Sequence, residues 1–134
     1  MSTTATDLVP IRSGDDVVRV RQEVRAIAAR AGLSLVDQTK IVTAASELAR
    51  NTLDYGGGGT ARITLLHEGG RRGVRVVFED QGPGISDVEQ ALRDGFTTGK
   101  GLGLGLGGAR RLCNEFVLET EVGTGTRVTI ARWR

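Results

Sequence analysis

Apolar residues recur at intervals of three and four between residues 15 and 31. Val17, Val20, Val24, Ile27 and Ala31 share one face of a helix predicted over Asp15–Ala31. Gly32 stands where such a helix should stop. Ser34, with Asp37 three residues later, marks a second helix start of the capping-box kind. Ile41, Ala45, Leu48 and Thr52 form the inner stripe of that helix, and "YGGGG" (Tyr55–Gly59) ends it. Leu8–Arg12, ahead of both helices, predicts a short strand. Beyond the glycines the period changes from helical to two. Ala61, Ile63 and Leu65 alternate with Arg62 and Thr64, "GGRRG" (Gly69–Gly73) turns the chain, and Val74–Asp80 returns, which predicts a hairpin. "DQGPGI" (Asp80–Ile85) is a sharp turn, followed by a short helical piece over Asp87–Arg93. Leu104–Glu115 reads as helix despite its glycines, and Phe116–Glu121 with Arg127–Ala131 makes a last hairpin around "GTG". Helices grouped against strands in this order predict an α+β fold: a two-layer sandwich with helices on one face of a mixed, mostly antiparallel sheet.

The 134 residues match one domain, 1–134, with residues 1–7 expected to be a disordered tail. Apolar residues at 39% and charged residues at 25% describe a globular chain. A net charge of +2 and 4% aromatic residues argue against a nucleic-acid surface. The terminal "ARWR" and the pair Arg71–Arg72 read as solvated or partner-facing. The single cysteine, Cys113, can form no internal disulfide and no zinc spacing, and reads as a small buried hydrophobe. No run approaches a membrane span and "MSTTATDLVPIRS" lacks a signal-peptide core, so the expected location is the cytoplasm.

Three polar or glycine-rich features do not follow from packing alone. The first is "TTGKGLGLGLGGARR" (Thr97–Arg111), where glycines alternate with leucines. "GFTTGKG" has one residue too few for a P-loop, and Gly101 stands where a magnesium-binding hydroxyl is required. Gly103, Gly105 and Gly108 fit G-x-G-x-x-G, but no strand leads into them. Glycines before a helix start instead suit a lid that closes over phosphates. The second feature is Asp80, which alternation places on the apolar face with Val74, Val76 and Phe78. It either caps the glycine turn or accepts an N–H from a flat ligand such as adenine. The third is Glu47 and Asn51, four apart on the border of the second helix. They either hydrogen-bond at that border or line a cleft, where an amide oxygen suits Mg²⁺ and a carboxylate suits proton handling.

Together these stretches resemble the GHKL ATPase/kinase superfamily, whose Bergerat ATP-binding fold is shared by histidine kinases, gyrase and heat-shock-90 chaperones. "SELARN" (Ser46–Asn51) resembles its N box and "EDQGPGI" (Glu79–Ile85) its D-x-G-x-G box. "GKGLGLGLGGARRL" (Gly99–Leu112) resembles its glycine-rich box and lid, and "GTGTRVTI" (Gly123–Ile130) its closing strand. "SELARNTLDYGGGG", "DGFTT" and "GLGLGLGGARRLCNEF" are similar to the RsbT-like serine/threonine kinases of the stressosome. The RsbW- and SpoIIAB-like anti-sigma kinases are a more distant likeness. No phosphoacceptor-histidine helix is present, and His67 falls in a predicted strand, which disfavours a sensor histidine kinase.

The resemblance implies ATP and Mg²⁺ as cofactors. It implies Asn51 at the Mg²⁺, Glu47 as general base or orienter of the nucleophile, and Asp80 reading the adenine amino group. Gly82 and Gly84 would let the base lie against the backbone, and Thr126 would help to hold it. The lid, Thr97–Gly108, would wrap the triphosphate, with Thr97, Thr98, Gly99, Lys100, Gly101, Leu102, Gly103, Leu104 and Gly105 as contact positions. Lys100 is the cation nearest to the place where anti-sigma kinases carry an arginine for the γ-phosphate. The implied activity is phosphorylation of a serine or threonine on a STAS-domain antagonist of the RsbS/RsbR type. Binding and activation of a PP2C-type, RsbU-like phosphatase goes with it. The alternative is an anti-sigma factor that sequesters a sigma subunit and phosphorylates its antagonist; a third reading is a nucleotide-binding interaction module. No nucleic-acid or membrane partner is expected.

Overall fold

β2 (Gly59–Glu68) and β3 (Arg71–Asp80) form the hairpin that the alternation predicts, closed by the two-residue turn Gly69–Gly70. The computed structural model describes residues 2–92 and 105–134, the side chains of residues 2–5 excepted. β1 (Ser2–Ile11) pairs with β2, while β5 (Gly125–Trp133) lies between β3 and β4 (Glu115–Glu121). The sheet order is β1-β2-β3-β5-β4, and every pairing is antiparallel, where the sequence allowed a mixed sheet.

The strand β1 corrects another expectation. Residues 2–7, read as a disordered tail, continue the strand to Ser2 in register with β2. The threonine-rich start suits extended backbone, and β2 offers a full edge to pair with. Thr6 and Thr64 add a hydroxyl–hydroxyl contact of 3.3 Å across this pair.

α1 (Gly14–Arg30) and α2 (Leu35–Asp54) cover one face of the sheet. Their predicted stripes are buried: Val20, Val24 and Ile27 from α1, Ile41, Ala45 and Leu48 from α2. They meet Ile63, Val74, Val76, Phe78 and Ile130 of the sheet. The Ser34 side chain accepts a hydrogen bond from the Asp37 N–H at 3.1 Å, as the capping pattern predicts. α3 (Val88–Ala91) is a single turn, capped by Asp87. α4 (Gly105–Arg111) is shorter than the predicted Leu104–Glu115. Its last carbonyls are drawn into tight turns, and the Leu112 carbonyl accepts from Arg132 at 3.1 Å.

Arg132 and Arg71 depart from the solvated reading. Arg132 lies on the helix-facing side of β5 and donates to Asp37 at 2.9 Å, with its side chain 16% exposed. It therefore joins the first turn of α2 to the end of α4. On the opposite sheet face the Trp133 ring packs over Gly73, the Arg71 guanidinium lies 4.6 Å from its centroid, and its indole N–H donates to Glu115 at 2.8 Å. This small outer cluster accompanies the full burial of Leu66, a residue apart from the main core.

Candidate functional site

α2, the loop after β3, the start of α4 and the beginning of β5 enclose a cavity of about 290 Å³. Leu48, Phe78, Ile85, Leu106 and Val128 give it apolar walls. Asn51, Thr52, Tyr55, Asp80 and Thr126 are its lining residues with polar side chains, and the Thr52 hydroxyl donates to the Leu48 carbonyl at 2.9 Å. A mostly apolar cleft with a few convergent polar groups suits a flat ring with a polar edge.

Asp80 ends β3 on the face shared with Phe78, as the alternation requires. One carboxylate oxygen accepts the Gly82 N–H at 2.9 Å, so the turn-cap reading holds as geometry. The same side chain also lines the cavity, and a carboxylate has a second oxygen for a ligand donor. The two readings left open by the sequence are thus compatible.

Asp80 is held by close backbone approach. A Cβ on Gly56 would overlap its carboxyl group, and one on Gly125, at φ +144°, would overlap its carbonyl. Gly82 passes so near Gly56 that a side chain there would come within 2.8 Å of its Cα. Gly84 borders the cavity and lies against the Glu121 backbone. Gly56 and Gly125 escaped assignment from the sequence. Their signal was present, in the glycines of "YGGGG" and "GTG", but only the fold reveals that both face Asp80.

On α2 the outcome is divided. Asn51 lines the cavity, one helical turn beyond Glu47. Glu47 is 4% exposed and is not among the described residues lining the cavity. Gly82 supports the wall without lining it. Gly105 lines the cavity at the start of α4. Thr97, Thr98, Gly99, Lys100, Gly101, Leu102, Gly103 and Leu104 lie outside the described residues. Among the described residues no three His, Cys, Asp or Glu side chains cluster to hold a metal. The Asn51 amide oxygen, which lines the cavity, is of the donor class that suits Mg²⁺ beside phosphate oxygens.

Cys113 follows α4 and takes no part in the cavity. Burial pushes its thiol up to about 12, against the opposing pull of the Arg132 charge. No described helix is long and apolar enough to cross a membrane.

Comparison with known proteins agrees with this geometry. Residues 36–134 match the family described as histidine kinase-, DNA gyrase B-, and HSP90-like ATPase. The chain is 44% identical to the serine/threonine-protein kinase RsbT of Bacillus subtilis, over 88% of this chain and 89% of that protein. It is 30% identical to an anti-sigma F factor of Geobacillus kaustophilus, over 84% of this chain and 80% of the other. The fold superposes on a crystal structure of the RsbU and RsbW domains of Rv1364c from Mycobacterium tuberculosis, with a TM-score of 0.67 and 21% identity. That match covers 98% of this chain and 33% of the larger one.

Proposed function

The chain belongs to the histidine kinase-, DNA gyrase B- and HSP90-like ATPase family and is a serine/threonine-protein kinase within it; we propose that it phosphorylates a STAS-domain antagonist from Mg²⁺·ATP. The observation that carries this reading is the convergence of Asn51, Asp80, Gly84 and Thr126 on one cavity. Separate stretches of sequence supply them: Asp80 and Thr126 are partners across β3 and β5, Asn51 comes from α2 and Gly84 from the loop after β3.

In this mechanism Asp80 accepts the amino group of adenine, and Gly84 admits the ring edge to the backbone. Phe78, Leu48 and Val128 exclude water from its faces. Asn51 offers its amide oxygen at the phosphate end. Mg²⁺, when bound, neutralises charge across the phosphate oxygens. Glu47, one turn before Asn51, orients the acceptor hydroxyl and takes its proton as oxygen attacks the γ-phosphorus and ADP departs. Phosphoryl transfer depends mainly on positioning and electrostatics, so the two α2 residues act chiefly by holding the reactants in line.

As a partner-switching component, the protein would also bind and activate a PP2C-type phosphatase in the cytoplasm. The second reading, sequestration of a sigma subunit, draws on the 30% likeness to anti-sigma F factors; the 44% likeness to a named kinase favours the first. Capture from the native cell separates them: a STAS protein and phosphatase supports the first, a sigma subunit the second. The enzymatic reading is tested with Asn51→Ala. Calorimetry should show Mg²⁺·ATP affinity reduced about tenfold or more, the scale of one charge-assisted contact, and transfer to a STAS protein reduced with it. Normal Mg²⁺·ATP binding by this variant would remove the metal assignment.

A further inference from the structure

We infer that Thr120, a residue of the edge strand β4 that does not line the cavity, is a positioning residue for the base pocket. The inference rests on the nucleotide reading of the cavity. The loop carrying Pro83, Gly84 and Ile85 is held chiefly from the β4–β5 hairpin. The Gly123 N–H donates to the Pro83 carbonyl at 2.8 Å, and Gly84 lies against the Glu121 backbone. The Ile85 N–H donates to the Thr120 hydroxyl at 2.9 Å. Thr120 thus fixes a cavity wall 35 residues away in sequence.

The same hydroxyl also controls Thr126, its cross-strand partner. Thr120 Oγ1 lies 2.9 Å from Thr126 Oγ1 and 3.2 Å from the Gly125 carbonyl. It has one proton and two acceptors within reach. When Thr120 donates to Gly125, Thr126 donates to Thr120 and presents only lone pairs to the cavity. When Thr120 donates to Thr126, the Thr126 proton is released toward the cavity. A purine edge that pairs an amino donor with a ring-nitrogen acceptor matches the second arrangement: Asp80 accepts and Thr126 donates. Thr120 therefore sets both the position of the Ile85 wall and the polarity of the Thr126 hydroxyl.

The test is Thr120→Val, an isosteric loss of the hydroxyl with a residue suited to a strand. Mg²⁺·ATP and ADP affinity by calorimetry should each fall about tenfold, the scale of losing one or two hydrogen bonds. The KM for ATP should rise by the same factor, with kcat at saturating ATP within about twofold of the parent. Thr120→Ser should restore binding to within about twofold. In a Thr126→Val background the effect of Thr120→Val should shrink, because both changes break one relay. Parent-like binding by Thr120→Val overturns the inference, as does equal loss in Thr120→Ser, which would assign the effect to the methyl group. Full additivity with Thr126→Val overturns the relay. If Thr120→Val does not fold, failure of Thr120→Ser to bind like the parent decides against the inference. Failure of the parent itself to bind any adenine nucleotide would instead overturn the nucleotide reading.

Discussion

The two ends of the cavity are built by different means. At the base end, Asp80 is enclosed by backbone: Gly56 lies against its carboxyl group, Gly125 against its carbonyl, and the Gly82 N–H bonds its side chain. At the α2 end, Asn51 lines the cavity and Glu47 lies buried one turn before it, both placed by the helical repeat alone. The base end is sterically exacting, because a single Cβ in the wrong place displaces the carboxylate. The α2 end is chemically exacting, because the helix accepts isosteric replacements that the proposed reaction does not. Binding and transfer should therefore fail separately.

The largest expected effect tests the α2 end. Glu47→Gln keeps shape and helix propensity while removing the proton acceptor. Single-turnover transfer to a STAS protein should fall by ~10²–10⁴, with Mg²⁺·ATP affinity within about twofold of the parent. Transfer at the parent rate would remove Glu47 from the chemistry and leave it a buried helix residue.

At the base end, Gly56→Ala should show the reverse pattern. Its Cβ would stand about 2.5 Å from an Asp80 carboxylate oxygen, closer than real contacts allow. Calorimetry should show nucleotide affinity lowered by ~10-fold or more, the cost of mispairing a buried polar group. Near-parent transfer at saturating ATP should remain. A variant that binds as the parent does would show that Asp80 can move without consequence. Asp80→Asn, milder because an amide oxygen still accepts, should weaken nucleotide binding by ~1–3 kcal/mol in a folded protein. Loss of melting temperature without loss of binding would reduce Asp80 to a turn cap.

The helical stripes and the β2–β3 hairpin were legible because each is a local repeat whose period declares its face. The same logic placed Asp80 on the apolar side and Asn51 beside the core. What stayed hidden depends on pairing between distant segments. Ser2–Asp7 carries no apolar stripe, and only the β2 edge makes it a strand. Arg132 looked like one charge of a solvated tail, yet Asp37, 95 residues earlier, draws it inward. Gly56 and Gly125 were visible as glycines, whereas their shared neighbour was not. Glu47 was correctly placed one turn from Asn51, but its deep burial depends on neighbours that periodicity does not count.

The smallest effect concerns neither end and so serves as their control. Glu23 on α1 holds its proton above the ordinary 4.5, because of a hydrogen bond with Asp7, then burial, then the Asp7 charge. A carboxyl group raised in the folded state contributes stability below its unfolded value, and that contribution is lost as pH rises through the folded value. Glu23→Gln keeps a hydrogen-bonding group without the ionisation. Thermal melts should show it slightly more stable than the parent at pH 7, with the gap closing toward pH 4. Nucleotide affinity should not change. A gap that widens on acidification would reverse the sign argued here.

The position of β5 also governs the order of assembly. β2 with β3 and β4 with β5 are hairpins whose contacts close short loops and can form early, whereas β1 reaches β2 across both helices and β3 reaches β5 only after β4 has been made. Among the described residues β4 pairs only with β5, and β5 brings Thr126 and Val128 to the cavity. A chain that has made β4 but not β5 therefore carries α2 and Asp80 without Thr126 and Val128 to close the cavity beside them. Pulse-labelled hydrogen exchange during refolding should protect the β2–β3 amides before those that join β3 to β5. On the nucleotide reading, the pocket is complete only once β5 has docked on β3, so a chain that has formed both hairpins but not joined them would not yet compete for ATP.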